Sequence, residues 1–277
     1  MLPRRPASSA ALTAIVAVLL ATGSCLSSAA QQVAKPAEEV IIPLNPLPFD
    51  LKGYLRRPEG AGPFPGVILL PACDRFVNVA DQNWGASLSS WGYVALTLDI
   101  FTARGVAGHD TCLNPAPPEI AADVYRGLDL LVARKLVDPE RAFVLGFGRG
   151  GSLVFPTVDR GGIVQRARHK FRAAIAFYPA CGDVKGMLAV PTLMVMGARD
   201  GKLDACRKLA AGEDDMGISR ERGAGAAIRL VVLPDAASGF DLSEFQKPVE
   251  VRGLHVEYSG AAVEQSKQVL REFLQRQ

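Results

Sequence analysis

The chain has 277 residues, of which 49% are apolar and 21% charged, and its formal net charge is +3. That is room for one sizeable α/β domain in an ordinary globular composition. It excludes a disordered or fibrous chain, and so small a charge gives no strong preference for nucleic acid as a partner.

Taken in chain order, residues 1–30 read as a signal peptide. Arg4 and Arg5 make a basic start, "ALTAIVAVLLATG" at 11–23 is an apolar run too short to span a bilayer comfortably, and "SSAA" places a small-residue cleavage site after Ala30. The expected location is therefore periplasmic or secreted, with no membrane attachment after cleavage. The competing readings are an uncleaved membrane anchor and a lipoprotein modified at Cys25. The second is weaker because "TGSC" lacks an apolar residue three positions before the cysteine. Residues 31–277 are expected to form a single domain, with a polar leader over about 31–37.

Six short apolar runs follow: 65–71, 93–99, 141–146, 173–179, 191–197 and 227–234. Runs of this length with proline or glycine at their ends read as buried parallel strands. "EEVIIPL" and "FDLKGYL" ahead of them read as an antiparallel pair at the sheet edge. Helices are predicted over 119–136, with Ile120, Val124, Leu128, Leu131 and Val132 on one face, and over 259–275, with Ser259 as N-cap. Alternation of strand and helix implies a mostly parallel sheet of about eight strands covered by helices on both faces. Residues 212–226 read as a polar loop. The basic stretch 160–172 reads as a solvated surface, with an anionic-ligand rim as the minority view.

Export changes what the cysteines mean. Cys73, Cys112, Cys181 and Cys206 remain after cleavage, and an even number in an oxidising compartment favours disulfides. Zinc is the rival reading. No Cys-x-x-Cys pair is present, and the three histidines lie far from these cysteines, so no metal or other cofactor is expected.

The stretch "VLGFGRGGS" at 144–152 admits two readings. Gly146, Gly148 and Gly151 spell G-x-G-x-x-G, a dinucleotide fingerprint. That motif belongs in the first strand–helix turn, with an acidic residue ending the next strand. Here earlier strands precede it, and the next one ends Tyr178-Pro179. Alternatively Gly146, Gly148 and Gly150 frame a nucleophile elbow, G-x-Ser/Cys-x-G, after the fifth strand of an α/β-hydrolase, with glycine at the nucleophile position.

Several segments carry a family resemblance: "LLPACDRF", "SSWGYVALTLDIFTARG", "FYPACGD", "PTLMVMGARDGKLDAC" and "LPDAASGFD". Over about residues 50–275 the chain resembles the dienelactone hydrolase family, closest to exported members. The resemblance implies an α/β-hydrolase fold and a carboxylic-ester hydrolase. It puts the nucleophile at Gly148, the acid at Asp200 and the base at Ser238, with oxyanion-hole amides near Cys73 and at Arg149. Two of those three triad positions are therefore vacant. The resemblance, with the expected order of neighbouring strands, also implies Cys73–Cys112 and Cys181–Cys206 disulfides.

A triad needs a nucleophile, a base and an orienting acid. The expected protein is thus non-catalytic or ligand-binding, its partner a small molecule. The alternative is an ester hydrolase built on Ser152, one helical turn past Gly148, with His109 as base. His169 in the basic stretch and His255 in a strand-like segment match no base position.

Overall fold

In the computed structural model the described residues are Met1, 36–44, 46–105, 119–182, 184, 187–212, 225–251 and 253–277. The expected signal segment, His109, Cys112 and most of the 212–226 loop lie outside them.

Eight strands form one sheet: β1 (Glu38–Pro43), β2 (Asp50–Arg56), β3 (Phe64–Leu70), β4 (Val94–Asp99), β5 (Val137–Phe147), β6 (Ala173–Phe177), β7 (Thr192–Gly197) and β8 (Ile228–Leu233). Their order is β1-β2-β4-β3-β5-β6-β7-β8. β1 and β2 are antiparallel, as their alternating burial suggests, and β2 joins β4 antiparallel; the remaining pairs are parallel. β4, β6 and β7 are buried at every residue. This is what uninterrupted apolar runs produce when both faces of a sheet are covered. A hairpin of β9 (Val249–Val251) and β10 (Leu254–Val256) stands apart from this sheet.

The helices are α1 (Val77–Val79), a π-helical turn at Ala80–Gly85, α2 (Ala86–Ser90), α3 (Ile120–Ala133), α4 (Gly148–Thr157), α5 (Leu203–Ala211) and α6 (Gly260–Gln275). α6 starts where its cap was expected, with the Ser259 hydroxyl accepting the Ala262 N–H at 3.3 Å. The helical run from Val77 to Ser90 is harder to read in the sequence. Its inner face mixes Trp84 and Leu88 with a buried carboxylate, Asp81, which the Arg56 guanidinium meets with two bonds of 2.8 and 2.7 Å. A charge on the inner face interrupts the apolar stripe that periodicity looks for.

The Cys181–Cys206 disulfide is present, with the two Cα atoms 5.0 Å apart. It ties the segment after β6 to α5 and closes a loop spanning 25 positions, worth about 3–4 kcal/mol in the chain-entropy account. Cys73 is also disulfide-bonded; its expected partner, Cys112, falls outside the described residues.

Candidate active site

β5 is a central strand, and its end sets the geometry. Gly146 lies level with Leu70 of β3 and Ala176 of β6. Phe147 is extended, Gly148 turns left-handed at φ +49°, and α4 begins at once. This strand–turn–helix is the backbone form of a nucleophile elbow. The flanking glycines are there for contact. A Cβ on Gly146 would lie 2.1 Å from the Gly150 carbonyl oxygen, and one on Gly150 would lie 2.1 Å from that of Leu70. A Cβ on Gly148 would meet the Tyr178 ring at 3.2 Å and the Ala72 methyl at 3.3 Å. The elbow therefore faces the segments that follow β3 and β6, and buried Cys73 adjoins the first of these.

Asp200 follows β7 and Ser238 follows β8; they are 3% and 2% exposed. One ammonium lies between them. Lys202 Nζ donates to Ser238 Oγ at 3.1 Å and to the Tyr178 carbonyl at 3.0 Å, and lies 3.5 Å from Asp200 Oδ2. Asp200 Oδ1 accepts the Lys202 backbone N–H at 2.9 Å. Burial pushes the Lys202 amine down, and the Asp200 carboxylate beside it pulls the other way. The sequence reading missed Lys202. The signal was short, a basic residue two places after the acid in "ARDGKLD", and nothing in it says where the side chain ends.

A second polar cluster, also missed, lies under the elbow. Asp241 is buried and accepts the Tyr178 hydroxyl at 2.5 Å and the Trp84 indole N–H at 2.8 Å. Tyr178 has a left-handed φ of +40°, rare for a bulky residue. Trp84, Phe147, Phe177, Phe240 and Tyr178 pack their rings around this carboxyl. Burial pushes Asp241 up, and it pushes Tyr178 well above its ordinary value with the Asp241 charge adding to the effect.

The remaining candidates are occupied elsewhere or lie outside the described residues. Ser152 Oγ donates to the Gly148 carbonyl at 3.2 Å and accepts the Ala180 N–H at 2.8 Å. It acts as a brace between the elbow and the segment after β6. Ser152→Ala is accordingly expected to lower stability by about 1 kcal/mol and to leave any ester turnover unchanged, as thermal melts and a p-nitrophenyl acetate assay would record. His109 lies outside the described residues. His169 Nδ1 pairs with Asp129 at 2.7 Å. His255 sits between Glu250 at 2.8 Å and Glu257 at 3.3 Å, and these carboxylates raise its imidazole. The Arg149 guanidinium lies 4.8 Å over the Phe101 ring, and burial lowers it. Among the described residues no group of three or more His, Cys, Asp or Glu could hold a metal ion, and no helix is long and apolar enough to cross a membrane.

The sheet order and the elbow define an α/β-hydrolase fold, and solved structures described as dienelactone hydrolases and esterases share it. A protein of Klebsiella pneumoniae subsp. pneumoniae MGH 78578 described as a dienelactone hydrolase superposes with a TM-score of 0.65 at 20% identity, over 87% of this chain and 98% of that one. The butyrate-bound esterase Est2 of Thermogutta terrifontis gives 0.62 at 17% identity, over 88% and 95%. The dienelactone hydrolase of Anabaena variabilis ATCC 29413 gives 0.59 at 17% identity, over 87% and 99%. Among curated proteins, Lipase 1 of Moraxella sp. (strain TA144) is 24% identical over 163 residues. That match takes in 57% of this chain and 44% of the lipase, so it spans less than half the relative's length. No protein-family model matches the chain.

Proposed function

We propose that this is an exported α/β-hydrolase-fold protein that does not hydrolyse esters through a triad, and that a small molecule binds at the carboxyl edge of its sheet. The resemblance to dienelactone hydrolases assigns the nucleophile to Gly148, the acid to Asp200 and the base to Ser238. One observation carries the reading: the ammonium of Lys202 engages both Asp200 and Ser238. An acid neutralised by a lysine orients no imidazole, and a serine hydroxyl takes up no proton near neutral pH. The glycine at 148 has no group to attack with. The occupied hydroxyl of Ser152 further supports this reading over one in which Ser152 is the nucleophile. Export is supported by the Cys181–Cys206 disulfide, since such bonds persist in oxidising compartments.

The test is covalent. A related fold, Thermogutta terrifontis esterase 2, has been solved phosphorylated by paraoxon. Incubation of this protein with paraoxon, followed by intact-mass and peptide analysis, should give no phosphoryl adduct. A stoichiometric adduct on any serine would overturn the proposal.

A further inference from the structure

We infer that Lys202 is a positioning residue which has taken the seat an imidazole would fill, and that its ammonium fastens the loops after β6, β7 and β8 to one another. The inference deepens the non-catalytic reading and rests on it only in removing Asp200 from proton transfer. Its basis is a count of donors and acceptors. An ammonium has three N–H groups. Here three oxygens surround it: the Tyr178 carbonyl at 3.0 Å, Ser238 Oγ at 3.1 Å and Asp200 Oδ2 at 3.5 Å. Each comes from a different loop at the carboxyl edge of the sheet.

The arrangement answers a need on the other side. Asp200 Oδ2 is buried and makes no hydrogen bond, so the nearby ammonium is its compensation. Without it a carboxylate oxygen would be buried with no counter-charge, which is far costlier than never burying it. One of the loops so joined carries a strained residue. Tyr178, with its left-handed backbone, supplies one acceptor. Ser238 is held on its other side by the hairpin, donating its N–H to the His255 carbonyl and accepting that of Glu257. The Cys181–Cys206 disulfide independently joins two of the same segments, and the Cys206 N–H meets the Lys202 carbonyl.

The lysine at 202 and the serine at 238 are therefore one device. A histidine at 238 long enough to reach Asp200 Oδ2 must occupy the space Lys202 Nζ fills, because Nζ lies between the two side chains. Serine is short enough to leave that space and still offer an oxygen to the ammonium.

A double-mutant cycle tests the assignment. Lys202→Met and Asp200→Asn are each expected to raise the unfolding equilibrium constant by about 30-fold or more. The double variant should fall short of the product of the single effects by about tenfold. Hydrogen exchange gives a local readout. In Lys202→Met the Ser238 and Glu257 amides should exchange at least about tenfold faster, while amides between β1 and β2 keep their rates. If Lys202→Met does not fold, Lys202→Gln, which keeps two donors without the charge, is expected to fold with an intermediate loss. Product-additive effects in the cycle, unchanged exchange at Ser238, or a Lys202→Gln as stable as wild type would each overturn the brace. A paraoxon adduct on Ser238 that disappears in Lys202→Met would overturn it too, by making Lys202 a base. An adduct elsewhere would sink the non-catalytic reading and leave the brace standing.

Discussion

Wild-type protein is expected to hydrolyse p-nitrophenyl esters at a rate within about twofold of a Gly148→Ala variant. Neither has an attacking group at the elbow. The amides that the resemblance assigns to an oxyanion hole, after β3 and at the start of α4, could stabilise an oxyanion only after some nucleophile had created it. Gly148→Ser alone should do no better, because triad members act as a unit and their effects are far from additive. Nor should Gly148→Ser with Ser238→His, because Lys202 already pairs with Asp200, which the resemblance puts in the place of the acid. Only a triple variant that also replaces Lys202 by alanine frees that seat. Its serine must still settle against the Tyr178 ring, 3.2 Å from the Cβ position, which requires the ring to yield by a few tenths of an ångström. Wild-type turnover well above Gly148→Ala, abolished by Ser152→Ala or His109→Ala, would instead establish the alternative constellation.

Asp241→Ala should destabilise the fold by about 3–5 kcal/mol. It removes the acceptor of two buried donors, the Trp84 indole and the Tyr178 hydroxyl, from the middle of an aromatic cluster. Asp241→Asn behaves differently, since its oxygen can serve Trp84 while its amide donates to the Tyr178 oxygen. Burial raises the Asp241 carboxyl, and the bonds from Tyr178 and Trp84 pull it only part of the way back. The folded state thus holds this proton more tightly than the unfolded chain does. That stabilisation is complete below the unfolded value of about 3.9 and is lost as pH rises through the folded value. Wild type should therefore lose stability relative to Asp241→Asn as pH rises from the unfolded value of about 3.9 through the raised folded one. Urea midpoints across that range decide it. A constant gap between the two proteins would mean that Asp241 does not titrate there.

Much of the fold could be read from residue order. Runs such as "AAIAFYP" and "PTLMVMG" are buried on both faces and so are apolar throughout. The edge pair β1–β2 alternates because one of its faces is wet. The elbow was legible because its glycines sit at fixed spacing. What was hidden depends on where long side chains end. Lys202 is an unremarkable basic residue until its Nζ is seen between Asp200 and Ser238. Asp241 reads as the end of "SGFD" and Trp84 as an isolated aromatic, yet they are 157 positions apart in the chain and share a hydrogen bond. The helical run that carries Trp84 was obscured by Asp81, whose partner Arg56 lies on β2.

The close contacts at Gly146 and Gly150 separate two kinds of information that a hydrolase motif normally carries together. Their missing side chains let backbone touch backbone where β5 turns into α4 beside β3. That demand comes from the sheet and is the same whether or not a reaction takes place above it. The residue between them has looser neighbours, the Tyr178 ring and the Ala72 methyl at 3.2 and 3.3 Å from a Cβ, and a left-handed turn that glycine satisfies best. The outer glycines thus report how a strand meets a helix, and position 148 reports whether the turn itself presents a side chain. A frame of glycines around an empty centre marks how the backbone turns, and any reaction has to be judged from the side chains that reach that turn.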